Sequence, residues 1–314
     1  MLLTPLLFFA GFYILIKGAD FLVGGASSLA HRFAISPLVI GLVIAGIGTS
    51  IPEFGIGFLA HIRGETGLSL GTVIGSSTLN ILLVLGFAAL VFPLSFKKEW
   101  VDRDLIWNML APAAALVFAV PLTGDSIGRL EGALLLFLFF YWLFIAIKKS
   151  DGLEDDEAEP LRILAFPIAF LLIIAGLAGV LLGGVWVVDG AELIARQFGL
   201  SETLIGLTLL SMGTSFPELA VTAVAAYRNQ FGIAIGGIIG SNIFNFFMIL
   251  GVSALAAPIY FSNELFIDLG ISLFAALLLY GSMFTGNRYM LSRRQGLMFV
   301  VVYIFYLVYI IGRG

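Results

Sequence analysis

The chain has 314 residues, 60% hydrophobic and only 11% charged, with a net charge of -4. Its mean hydropathy is +1.09. A soluble domain carries roughly 25% charged residues, so the composition excludes a water-soluble globule and points to a polytopic membrane protein.

The apolar runs, such as 105–122 and 130–147, are continuous and do not alternate. They therefore read as helices and not as barrel strands, which also satisfies every backbone group within the segment. There is no cysteine, so disulfides, thiolate metal sites and thiol nucleophiles are excluded. The two histidines, His31 and His61, fall near expected helix ends. The apolar N-terminus has no basic leader and is expected to be the first span, not a removed signal.

In chain order, ten spans are expected. The first five lie near 3–30, 36–60, 67–93, 104–122 and 127–147. The second five lie near 163–195, 201–226, 231–257, 265–284 and 293–311. The division is thus a five-helix repeat at 1–147, an acidic linker at 148–162 and a second five-helix repeat at 163–314. The linker's six acids (Asp151, Glu154, Asp155, Asp156, Glu157 and Glu159) mark a solvated loop.

The first expected span contains Lys17 and Asp20. The second contains "GTSIPE" (48–53), where a proline and a glutamate interrupt an apolar run. Thr49 and Glu53 are four apart and so share one helix face. Pro52 cannot donate to the Gly48 carbonyl, so bared carbonyls there, with that of Gly46 a turn earlier, become oxygen ligands. The third span pairs Ser76 with Asn80 at the same spacing. The sixth carries Asp189, which like Asp20 is a weaker candidate for a cavity-facing acid. The seventh repeats the motif as "GTSFPE" (213–218), with Thr214, Pro217, Glu218 and the Ser211 carbonyl. The eighth repeats Ser76 and Asn80 as Ser241 and Asn245.

Gly48, Glu53, Gly75, Asn80 and Gly86 each stand 165 residues before Gly213, Glu218, Gly240, Asn245 and Gly251. An odd number of spans per repeat makes the halves inverted. With the N-terminus outside, Arg32, Lys97, Lys98, Arg103, Lys148, Lys149, Arg162, Arg228, Arg288, Arg293 and Arg294 share one side. Arg63, Arg129, Arg196 and Arg313 fall on the other. The positive-inside rule then puts both termini outside and the linker in the cytoplasm of a cell-membrane protein.

A charged carboxylate at mid-span costs about 2.5–3.5 kcal/mol on insertion scales. No Lys or Arg lies at a matching depth, Lys17 apart, so a bound cation is the expected partner of Glu53 and Glu218. A proline–glycine kink alone is often structural, and Ser or Thr often bond their own backbone. The twinned glutamates shift the reading to function. The set contains only oxygen ligands, which suits hard cations such as Ca2+ or Na+ over zinc or copper.

"GTSIPE" with "GSSTLN", repeated as "GTSFPE" with "GSNIFN", resembles the two alpha-repeats of the sodium/calcium exchangers in the calcium/cation antiporter superfamily. The motif similarity covers 36–86 and 201–251. The resemblance implies ten helices in two inverted fives, with Glu53 and Glu218 as acidic ligands of calcium shared with sodium. It implies supporting roles for Thr49, Ser50, Ser76, Asn80, Thr214, Ser215, Ser241 and Asn245, and for the carbonyls of Gly46 and Ser211. Spans one and six would slide to alternate access. Asn245 departs from the family pattern, since many prokaryotic relatives carry Asp there.

The expected activity is Na+/Ca2+ antiport, with Ca2+, Na+ and the bilayer as partners and no nucleic acid, cofactor or enzymatic step. A proton/calcium exchanger of the same superfamily is the alternative, although its usual "GN..E" pattern is absent. A passive cation channel is a further alternative. An intramembrane hydrolase is disfavoured, because the spans hold no mid-span His, no Cys and no HExxH.

Overall fold

The computed structural model describes residues 3–119, 126–148, 163–197 and 213–313. The first half supplies α1 (Leu3–Phe33), the bent pair α2a (Pro37–Thr49) and α2b (Ile51–Ile62), α3 (Thr66–Val91), α4 (98–119) and α5 (Arg129–Lys148). The second supplies α6 (Phe166–Gln197), α7 (Phe216–Tyr227), α8 (Phe231–Ala256), α9 (Asn263–Ser282) and α10 (Arg293–Arg313).

Among the described residues, seven helices are long and apolar enough to cross a membrane, or eight if the bent pair α2a–α2b is one span. The two other expected spans look different here. α4 opens on Asp102, Arg103 and Asp104, and α7 is a short apolar helix. Residues 201–212, the start of the seventh expected span, lie outside the described residues, as does most of the linker.

α3 and α8 are buried along most of their length, whereas α5 and α10 expose most of theirs. The outward side chains include Phe9, Phe137 and Phe305, apolar surface suited to lipid. α1 and α6 cross antiparallel at a glycine seam. A Cβ on Gly18 would lie 2.6 Å from the Val180 nitrogen, and one on Gly176 2.5 Å from that of Leu22. Small residues allow two backbones to approach this closely without the hydrophobic drive available in water. α2a lies against α8 in the same way, where a Cβ on Gly46 would lie 2.7 Å from the Gly237 oxygen.

Two short strand pairs tie the halves together. Leu94 pairs with Leu291 and Ile127 with Ile259. The spacing between equivalent residues is 165 up to Glu99 and Glu264, but 164 from Asp104 and Asp268 onward. α4 has a π-turn at Val101–Leu105, while α9 runs as unbroken α-helix. A π-turn accommodates one inserted residue, so the extra residue of the first half is absorbed there. With that correction the two strand pairs are equivalent, as are two helix starts. Glu131 accepts from the Gly128 N–H at 3.0 Å, and Gln295 accepts from that of Ser292 at 2.8 Å.

Buried acids of the two halves are also matched. Asp104 is bonded to Arg103 at 3.0 Å and Asp268 to Arg313 at 2.7 Å.

Candidate cation site

The site forms at the break between α2a and α2b and at the start of α7. α2a and α2b meet at 46°, with Ser50 between them at φ -84° and ψ 4°. Ser215 holds nearly the same backbone, φ -97° and ψ 3°, before α7. In each case proline follows in the first turn of the new helix, where its missing N–H leaves no bond unmade. Glu53 and Glu218 therefore sit in first turns, where the helix N-terminus favours negative charge.

Both glutamates are buried, and none of their four carboxylate oxygens has a hydrogen-bond partner among the described residues. They lie close enough to interact with each other. Thr214 stands beside Glu53, whereas Thr49 and Ser241 stand beside Glu218. The expectation that Thr49 shares a face with Glu53, and Thr214 with Glu218, is thus corrected. The break at Ser50 or Ser215 turns the following helix, and each threonine meets the glutamate of the other half.

The hydroxyls spend their hydrogens on the backbone. Thr49 Oγ1 donates to the Ala45 carbonyl at 2.8 Å, Ser50 Oγ to that of Gly46 at 2.9 Å, and Ser76 Oγ to that of Thr72 at 2.6 Å. Their remaining lone pairs are available to a cation. The Gly46 carbonyl is not bare, as it also accepts from the Ser50 N–H at 3.3 Å. The break lies at Ser50, later than the Gly48 carbonyl would suggest, so the turn ending at Gly46 keeps its bonds. Ser211 lies outside the described residues. Ser215 is buried and its hydroxyl has no partner among them.

The asparagines sit where α3 and α8 widen into π-turns, at Asn80–Leu85 and Phe244–Ile249. Asn80 Nδ2 donates to Ser241 Oγ at 3.1 Å and to Asn242 Oδ1 at 3.3 Å. Asn245 Nδ2 donates to Ser77 Oγ at 3.5 Å. Asn242 and Ser77 are themselves equivalent positions in the repeats. The Oδ1 atoms of Asn80 and Asn245 are buried and unpartnered. The hydroxyls of Ser50 and Ser241 share a hydrogen bond of 2.7 Å.

The structure therefore brings Glu53, Glu218, Thr49, Thr214, Ser50, Ser241 and Asn80 together, and matches Asn80 with Asn245. No group of three or more acidic, histidine or cysteine side chains placed to hold a metal ion occurs among the described residues. The acids are two, and the other available ligands are neutral oxygens. Lys17 is exposed and offers neither glutamate a counter-charge. Asp20 forms an ion pair with Arg228. Asp189 lines a recess of about 180 Å3 that also touches Thr214 and both kink prolines, Pro52 and Pro217. Sequence reasoning missed Asn242 and Asn108, whose amides are bonded to each other at 3.1 Å. The available signal was a second asparagine three residues before Asn245.

A family model described as sodium/calcium exchanger protein matches residues 3–148 and 168–312. Among curated proteins, the chain is 36% identical to the inner membrane protein YrbG of Escherichia coli, over 88% of this chain and 89% of the relative. It is 28% identical to the sodium/calcium exchanger MaX1 of Methanosarcina acetivorans, over 96% and 97%. Among solved structures it is similar to the sodium-calcium exchanger NCX_Mj soaked with zero Na+ and Ca2+. That match has 33% identity, covers 98% of this chain and 99% of the other, and has a TM-score of 0.85. The matching first turns at Glu53 and Glu218, their buried carboxylates and the two matched halves agree with these findings, and the chain belongs to the sodium/calcium exchanger protein family.

Proposed function

We propose that the protein is an antiporter that exchanges Ca2+ for Na+ across the cell membrane by alternating access. The observation that carries this reading is the set of buried, unpartnered oxygens: both carboxylates of Glu53 and Glu218 and the amide oxygens of Asn80 and Asn245. Thr49, Ser50, Ser76, Thr214, Ser215, Ser241 and the carbonyls of Gly46 and Ser211 complete the proposed ligand set. Two carboxylates bind one Ca2+ or Na+ ions in its place. Without a cation they are two repelling charges in a low-dielectric interior, at a cost of several kcal/mol. The site then crosses between access states only when loaded, which enforces exchange.

The architecture we infer is ten spans as two inverted fives, with the acidic linker in the cytoplasm and both termini outside. The antiparallel crossing of the equivalent helices α1 and α6 supports the inversion, and their glycine seam suits sliding. In this orientation the recess beside Asp189 opens outward, and the Asp20–Arg228 pair lies toward the cytoplasm. That arrangement fits access from outside.

Calcium uptake into proteoliposomes, with sodium, potassium and proton gradients imposed one at a time, tests the proposal. Uptake driven by sodium alone is expected. Uptake driven only by protons would favour the proton/calcium alternative, and uptake without any counter-gradient a channel.

A further inference from the structure

We propose that Asn242 is a positioning residue that holds the amide oxygen of Asn80 toward the cation, anchored in turn by Asn108. The inference rests on the cation-site reading above and concerns residues outside the proposed ligand set.

The argument is one of hydrogen-bond polarity. An amide has two donor hydrogens and one acceptor oxygen. Both donors of Asn80 are engaged, by Ser241 Oγ at 3.1 Å and by Asn242 Oδ1 at 3.3 Å. Its oxygen is left buried and unpartnered. Turned over, Asn80 would bring its own oxygen against that of Asn242 and present N–H groups to a cation. What prevents this is the orientation of Asn242. Its Nδ2 donates to Asn108 Oδ1 at 3.1 Å, which leaves its oxygen to accept from Asn80. All three side chains are buried, on α3, α8 and α4 in turn.

The equivalent asparagine has no such anchor. Among the described residues, Asn245 Nδ2 meets only the Ser77 hydroxyl, at 3.5 Å. A hydroxyl can donate or accept, so Ser77 does not dictate which end of Asn245 faces inward. The two halves thus supply one amide ligand held by a chain of amides and one held by a hydroxyl. Groups outside the ligand shell that orient a ligand are typically worth about 10–100-fold in metal affinity.

The test uses the full-length protein, with two readouts. Equilibrium calcium binding in detergent reports on the relay, and sodium-driven calcium flux in proteoliposomes reports on exchange. Asn242→Ala is expected to weaken calcium binding by about tenfold and to raise half-saturating calcium in flux, with the maximal rate nearly unchanged. Asn242→Ser retains an acceptor for Asn80 and should recover part of the loss. If Asn242→Ala does not fold, the serine variant and Asn108→Ala carry the comparison. In an Asn80→Ala background, Asn242→Ala should have little further effect, because no amide remains to orient. Unchanged calcium affinity in the Asn242 variants, or full additivity with Asn80→Ala, overturns the proposal. A wild type that binds calcium but does not exchange it for sodium overturns the exchange reading alone.

Discussion

Ser50, from the helix break of the first half, shares a 2.7 Å hydrogen bond with Ser241 from the second. Ser241 also accepts from Asn80, whereas the other partner of Ser50, the Gly46 carbonyl, keeps the bond from the Ser50 N–H, so the loss of Ser241 leaves more of the cluster unpaired. Ser241→Ala is therefore expected to raise half-saturating calcium more than Ser50→Ala. The double variant should be less impaired than the sum, with a coupling of about 1 kcal/mol. A calcium-dependence series on the four proteins measures it, and strict additivity would refute the shared role.

Glu53 and Glu218 stand in equivalent first turns with equally unpartnered oxygens. Glu53→Gln and Glu218→Gln should each reduce calcium exchange by at least about 100-fold, with insertion and monodispersity intact. Substantial transport by either variant would remove that residue from the site.

Potassium should be dispensable. Asn245 supplies an oxygen but no charge, and only two acids gather at the centre among the described residues. One Ca2+ already neutralises them, so a co-transported K+ would leave positive charge in a low-dielectric cavity. Sodium-driven calcium flux should persist with choline replacing all potassium. Flux that stops in choline and returns with potassium would refute the charge argument. Asn245→Asp should change sodium affinity and add sensitivity to pH.

The ion pair between Asp20 on α1 and Arg228 after α7 is half-exposed, so it is worth about 0.2–1 kcal/mol. That corresponds to a population change of about 1.4-fold to fivefold. Arg228→Gln should slow labelling from outside of a cysteine placed at Val185, in the recess, by about that factor. The charge exchange Asp20→Arg with Arg228→Asp should restore it. No change in labelling would mean the pair does not bias access.

Topology is open to the same chemistry, because the chain has no native cysteine. A cysteine at Asp155 should react only from the cytoplasmic side, and one at Met1 from outside. Labelling of the Asp155 position in intact cells by an impermeant reagent would contradict the proposed inversion.

Much of the site was legible because its acids are expensive. Glu53 and Glu218 in apolar runs, twinned at one spacing, needed only the cost of burying charge to be singled out. Ser76 with Asn80 and Ser241 with Asn245 followed from helical spacing, which holds where α3 and α8 are continuous. The same rule failed for Thr49 and Glu53, because it assumes a straight helix and the chain breaks at Ser50. Asn108 and Asn242 were not legible as a pair. Their bond depends on how α4 packs on α8, and neither residue carries a charge to mark it. The ion pairs of Asp20 with Arg228 and of Asp268 with Arg313 likewise depend on helix packing that local pattern does not reveal.

The π-turn at Val101–Leu105 has a consequence for how this chain tolerates changes of length. In an ordinary α-helix one added residue spins everything beyond it by about 100°. Asn108 would then leave the amide chain. The widened turn acts as a slack link that takes up the extra residue before Asn108 is reached. Deleting one residue within 101–105 should tighten the link to ordinary helix and leave Asn108 aligned.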